Sequence, residues 1–95
     1  MNRALFQLEQ HLHLYKRSGA KQHRDKQGRR MRRIVEYLVE KEGIKGLEQI
    51  GRKQICRYYR DHSHYSDGNK KHYYYGVNTI WREFLGRCGE PPKFK

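Results

Sequence analysis

Ninety-five residues with a formal net charge of +12 allow one small domain with a modest core and leave no room for a large catalytic domain beside it. Hydrophobic residues make up 35% of the chain and charged ones 34%, yet the apolar positions fall in helical register and Tyr, Phe and Trp supply 13%, enough to bury a core. No apolar run approaches the roughly 18 to 20 residues of a membrane-spanning helix, so a transmembrane role is excluded and the cytoplasm is expected.

The first block, NRALFQLEQHLHLYK, spaces Leu5, Leu8, Leu12 and Tyr15 by threes and fours, one stripe of an amphipathic helix expected over residues 1–18. Phe6 and Leu14 lie off that stripe, so the helix carries apolar side chains for a neighbour as well as for its own core. Ser18 and Gly19 then break the pattern.

From Ala20 to Glu42 a second helix carries Met31, Ile34, Val35 and Leu38 on one face. Nine of the 22 Lys and Arg residues fall between Lys16 and Arg33, with Asp25 the single acid among them. The first half of this helix has almost no apolar residue and is expected to project beyond the core, offering Lys21, Arg24, Lys26, Arg29 and Arg30 to phosphate. Glu36, Glu40 and Glu42 gather at the other end. That polarity opposes the helix dipole, so helix stability does not account for it and binding to a polyanion does.

Gly43 and Gly46 mark a turn, and Leu47 with Ile50 forms an apolar plug before Gly51. A short third helix, Arg52 to about His62, buries Ile55 and Tyr59, with Cys56 or Tyr58 alongside. After DHSHYSDG, Ser66 or Asp67 caps a fourth helix in which Tyr73, Val77, Ile80, Trp81, Phe84 and Cys88 recur at helical spacing, and this helix is expected to be central. Gly86, Gly89, Pro91 and Pro92 end it, and residues 90–95 read as a basic tail or linker. Cys56 and Cys88 read as small buried hydrophobes; they allow one disulfide pairing, which nothing in the sequence favours.

Several side chains invite chemistry. His62, His64 and Tyr65 imitate a metal-dependent site with a tyrosine nucleophile, but Ser63 between the histidines and the helical setting do not suit it, and no metal or cofactor is expected. Tyr73, Trp81 and Phe84 have core spacing, whereas Tyr74 and Tyr75 lie off the buried stripe and are free to touch sugar or base. Gln27 and Asn78 carry amides suited to an adenine edge.

The strings RRIVEYLVEKEGI, GLEQIGRKQICRYYRDH, SDGNKKHYYYGVNTIWREFLGRCG and EPP, in this order, resemble the core-binding domain of tyrosine recombinases, the SAM-like N-terminal helical domain of phage-type integrases. The resemblance runs from Ala20 to Lys95. It implies an all-α fold: a compact four-helix core-binding bundle over residues 20–89, preceded by one N-terminal helix. It also implies that the N-terminal helix touches a neighbouring protomer, which makes Leu5, Phe6 and Leu14 candidate protein contacts, and that the starts of the first and last bundle helices face DNA. Those starts hold Lys21, His23, Arg24, Gln27 and Arg30, then Asn69, Lys70, Lys71, Tyr74 and Asn78; charge adds Lys26, Arg29 and Arg33. The family's catalytic domain has no counterpart in these residues, so no enzymatic activity is expected.

The function expected is therefore non-catalytic binding of double-stranded DNA, as an accessory factor in site-specific recombination, integration or transposition of a mobile element. Its setting would be the bacterial or phage cytoplasm, associated with the nucleoid. A full-length tyrosine recombinase or a second copy of the chain are the protein partners expected, with no membrane and no small-molecule substrate. Two alternatives stand beside it: a core-binding fragment of a complete recombinase, since EPPKFK resembles the linker to the catalytic domain, and a helical interaction module that docks on a recombinase.

Overall fold

A computed structural model describes residues 2–17 and 21–94; the side chains of Lys16 and Lys21, and the expected break at Ser18 and Gly19, lie outside the described residues. Within them the chain is all-α, with four helices and no strand: α1 (Arg3–Lys16), α2 (Lys21–Glu42), α3 (Arg52–Asp61) and α4 (Asp67–Asn78). A 3-10 turn, Leu47–Gln49, precedes α3, and a π-helical segment, Thr79–Phe84, continues α4. The Cα radius of gyration is 12.5 Å, against about 12.4 Å for a compact domain of this length.

Helices α1, α3 and α4 start where the sequence supplies a partner for orphan N–H groups. Asn2 caps α1 by accepting from the Ala4 amide at 2.7 Å. At α3, where the cap residue is Gly51, Gln54 Oε1 reaches back to accept the Gly51 amide at 3.1 Å. Ser66 caps α4 through the Asn69 amide. At the far end of α2, Gly43 takes φ +67, a conformation costly for other residues, and turns Ile44 into the core.

The core is one cluster. Ala4, Leu8 and Leu12 of α1 close on Met31, Ile34, Val35 and Leu38 of α2. The plug Ile44, Leu47 and Ile50 seals one side, and Ile55, Tyr58, Tyr73, Val77, Ile80 and Trp81 complete the packing. The N-terminal helix is thus a full partner in the bundle. The central element is α2, which packs against α1, α3 and α4, and not the fourth helix as its clean periodicity suggested. At 22 residues, about 33 Å at 1.5 Å per residue, it is also the longest of the described helices. Where α4 crosses it, Gly76 brings the backbones close, since a Cβ there would meet Ile34 Cδ1 at 3.2 Å and Met31 Cγ at 3.5 Å.

Two further expectations are corrected. Both cysteines are exposed and free. In α3 the buried face is Ile55, Tyr58 and Tyr59, which turns Cys56 outward. Cys88 leaves the helical register because the π segment, closed by the Leu85 amide on the Ile80 carbonyl at 2.9 Å, ends the helix before Gly86. The second concerns the tail, which folds back. Pro91 is buried, the Tyr59 hydroxyl donates to the Pro92 carbonyl at 2.9 Å, and Phe94 stacks on Tyr59 with ring centroids 4.2 Å apart.

Candidate nucleic-acid interface

Lys26, Arg29, Arg30 and Arg33 recur at i, i+3, i+4 and i+7, so they share one face of α2. The same helix turns Gln27, Met31 and Ile34 inward, and that burial fixes the direction of the basic stripe. The stripe faces the start of α4. Together with Tyr65, Asn69 and Tyr73 it lines a cleft of about 290 Å³. Arg33 Nη1 donates to the Tyr73 hydroxyl at 3.1 Å, tying α2 to α4 across it, and the Tyr65 and Tyr73 rings stack at 5.0 Å. Burial, and then the neighbouring Tyr73, raise the Tyr65 hydroxyl above its ordinary value, so it is a neutral donor at physiological pH.

The electrostatics of this cleft differ from those of the remaining surface. Outside the cleft four arginines have carboxylate partners, Arg3 with Glu48, Arg32 with Glu9, Arg57 with Glu42 and Arg60 with Asp61, and Arg52 and Arg87 donate to backbone carbonyls. No acid lines the cleft, and among the described residues Lys26, Arg29 and Arg30 make no ion pair or side-chain hydrogen bond. Like charges held together without counter-charge repel one another, and a bound anion relieves that repulsion.

A second groove, of about 430 Å³, lies on the other side of α4. Lys70, Lys71 and Tyr74 line it with Lys93 and Phe94 of the returning tail, and Asp67 is its one acid. The Lys70 ammonium sits 5.7 Å from the Phe94 ring centre, a cation–π contact. A third groove, of about 350 Å³, holds His23 and Gln27 with Tyr15, His72, Tyr75 and Thr79.

The residues expected to touch DNA are therefore divided. Lys26, Arg29, Arg30, Arg33 and Asn69 converge in one cleft, and Lys70, Lys71 and Tyr74 in the adjoining groove. His23 is exposed in the third. Lys21 opens α2, but its side chain lies outside the described residues. Asn78 is half-buried, nine residues or about 13.5 Å along the helix from Asn69, too far to share its cleft.

Gln27 is 3% exposed, so it cannot reach the edge of a base stacked in a duplex. Its Oε1 is buried without a hydrogen-bond partner, a condition that costs about 1–3 kcal/mol. Arg24 is also corrected: its guanidinium lies 4.2 Å from the Tyr15 ring centre and donates to the Tyr15 carbonyl at 3.1 Å, bracing α2 on α1. The first half of α2 thus does not project beyond the core. Gln27 and Gly28 are buried and Arg24 is partly so.

Among the residues not singled out from the sequence are Tyr65 and Tyr73 as walls of the cleft, and Lys93 in the adjoining groove. The apolar Phe94, isolated between two lysines after Pro91 and Pro92, was the available sign that the tail docks. The candidate protein contacts also separate. Phe6 is 53% exposed and Leu14 65%, whereas Leu5 packs against the core. At the histidine cluster, His62 Nδ1 lies 2.7 Å from the Tyr58 carbonyl. Among the described residues no group of three or more His, Cys, Asp or Glu is placed to hold a metal, and no helix is long and apolar enough to cross a membrane.

No protein-family model matches the chain, and neither the curated proteins nor the solved structures contain a match. The resemblance to recombinase core-binding domains rests on the sequence strings alone.

Proposed function

We propose that this chain binds double-stranded DNA without acting on it chemically, using the α2 stripe and the start of α4 as its grip. The observation that carries the reading is the cleft in which Lys26, Arg29, Arg30 and Arg33 converge with Asn69 and no carboxylate, while Arg3, Arg32, Arg57 and Arg60 outside it face acids. From Lys26 to Arg33 the stripe advances about 10.5 Å. One strand of B-DNA places a phosphate about every 3.4 Å along its axis, so the stripe is long enough to follow about three of them. Asn69 and Tyr65 add hydrogen-bond donors for phosphate or sugar oxygens. Lys70, Lys71 and Lys93 extend the positive surface around α4.

On the resemblance to core-binding domains, the DNA it takes is a recombinase-type site, and the chain is an accessory factor in site-specific recombination or transposition of a mobile element. Binding of labelled duplexes at several salt concentrations tests the grip, and footprinting on the ends of the element that encodes the chain tests the assignment. Salt-independent binding, or none, overturns the first; indifference to those ends overturns the second.

One observation favours docking on a protein as a second reading. Phe6 and Leu14 are large, apolar and exposed on the outer side of α1. Under that reading Phe6→Ser with Leu14→Ser abolishes co-purification with a recombinase and leaves duplex binding intact; the DNA reading requires only the second result.

A further inference from the structure

Among the described residues Gln27 is the one buried amide, and its Oε1, like the Tyr58 hydroxyl and the Trp81 Nε1, has no hydrogen-bond partner. It also lines the third groove, which follows the α2–α4 pair toward the first turns of α2. The groove's volume, about 350 Å³, falls within the range that small ligands fill. Its walls supply what a planar heterocycle needs. Tyr75 is 50% exposed and offers a ring face; His23 and His72 bring exposed imidazoles from opposite helices. Thr79, where the π segment begins, donates its hydroxyl to the Tyr75 carbonyl at 2.9 Å and so fixes the backbone that presents that ring. Such π segments recur at functional sites.

We infer that this groove receives a single unstacked nucleobase, adenine by preference, extruded from the nucleic acid held by the basic stripe. The inference rests on the nucleic-acid reading above. An amide presents an acceptor and a donor side by side, the complement of the adenine N6 amino group and N7, and a tyrosine face stacks on any base. The depth of Gln27 excludes a base that stays in the helix, so only one that leaves it could approach the amide. Leaving is least costly for a base that has no pairing partner.

The probe is a duplex with one unpaired adenine, compared with the same duplex carrying an abasic site at that position, so that backbone distortion is held constant. The unmodified chain is expected to prefer the adenine by about tenfold, toward the low end of what one stacked base contributes. Gln27→Met, which keeps the side-chain volume, and Tyr75→Ala each reduce that ratio to about one, and Tyr75→Phe restores it. Equal affinity for the two probes in the unmodified chain, or a preference that survives both Gln27→Met and Tyr75→Ala, overturns the site.

The duplex reading fails separately, by loss of salt-sensitive binding to a fully paired duplex. The groove is tested without any duplex by adenosine at millimolar concentration. The ring resonances of Tyr75 and His72 move in the unmodified chain and stay in place in Gln27→Met. No movement in the unmodified chain counts against the groove whatever the duplex does.

Discussion

Replacing Arg29 and Arg30 together by Gln removes half of the α2 stripe while leaving the fold alone. Neither residue has an ion pair or side-chain hydrogen bond among the described residues, and neither belongs to the core. If Lys26, Arg29, Arg30 and Arg33 each neutralise one phosphate, the logarithm of the binding constant falls with the logarithm of salt at a slope of about −3.6. Between about 50 and 200 mM salt that amounts to a loss of about 150-fold. The double variant retains two contacts, so the slope becomes about −1.8 and the loss over the same range about 12-fold. The assay is fluorescence anisotropy of a labelled duplex across a salt series. Net charge alone also steers and attracts, so the control is Arg57→Gln with Arg60→Gln. It removes the same two charges from arginines that already face Glu42 and Asp61. The control is expected to keep a slope close to the original. Equal changes in the two double variants would refute the cleft as the grip and leave only a diffuse positive field.

Further predictions concern the supports of the site. Gln27→Met removes an unpartnered buried acceptor and is expected to stabilise the fold by about 1 kcal/mol, raising Tm by about 4–8 °C in thermal unfolding; a lower Tm contradicts the orphaned amide. Gly76→Val places two further methyl groups where a Cβ already meets Ile34 at 3.2 Å, and is expected to cost about 1–3 kcal/mol in a urea titration. An unchanged midpoint would mean that α4 does not press on α2 there. The Tyr37 hydroxyl donates to Asp61 and holds that carboxyl below its ordinary value of 3.8. A depressed carboxyl contributes stability above its ordinary value and loses it as pH falls through the folded value. Tyr37→Phe is therefore expected to move the Asp61 titration up toward 3.8 by NMR and to weaken the acid limb of the stability profile.

The parts of the fold that local pattern controls were readable in the sequence. Met31, Ile34, Val35 and Leu38 declared their stripe by spacing, Ser66 its cap by residue type, and Leu47 with Ile50 their plug by isolation between glycines. Gln27 was readable too, because it stands four residues before Met31 on the same stripe, but a polar residue there looks like surface until the burial is seen. What local pattern does not encode is which cations find partners. Arg32 meets Glu9 and Arg24 meets Tyr15 through the pairing of α1 with α2, while Arg29 and Arg30, on the same helix, face a cleft without acids. Charge density pointed to α2 and the start of α4 as the candidate site; tertiary packing decides which of its cations share a cleft.

The π segment was hidden for a related reason. Tyr73, Val77, Ile80 and Trp81 satisfy an α-helical period and all four are buried, although Ile80 and Trp81 already lie in the π segment Thr79–Phe84, whose effect on the register shows at Cys88, off the stripe and exposed. The tail was hidden because its docking depends on Tyr59 and Lys70, far away in sequence, against which Phe94 packs.

If one face of α2 and the start of α4 hold DNA, NMR spectra recorded through a duplex titration show salt-sensitive shifts concentrated at Lys26, Arg29, Arg30, Arg33, Tyr65 and Asn69, with the outer side of α1 unmoved. Shifts centred on Phe6 and Leu14, or none at all, would contradict it.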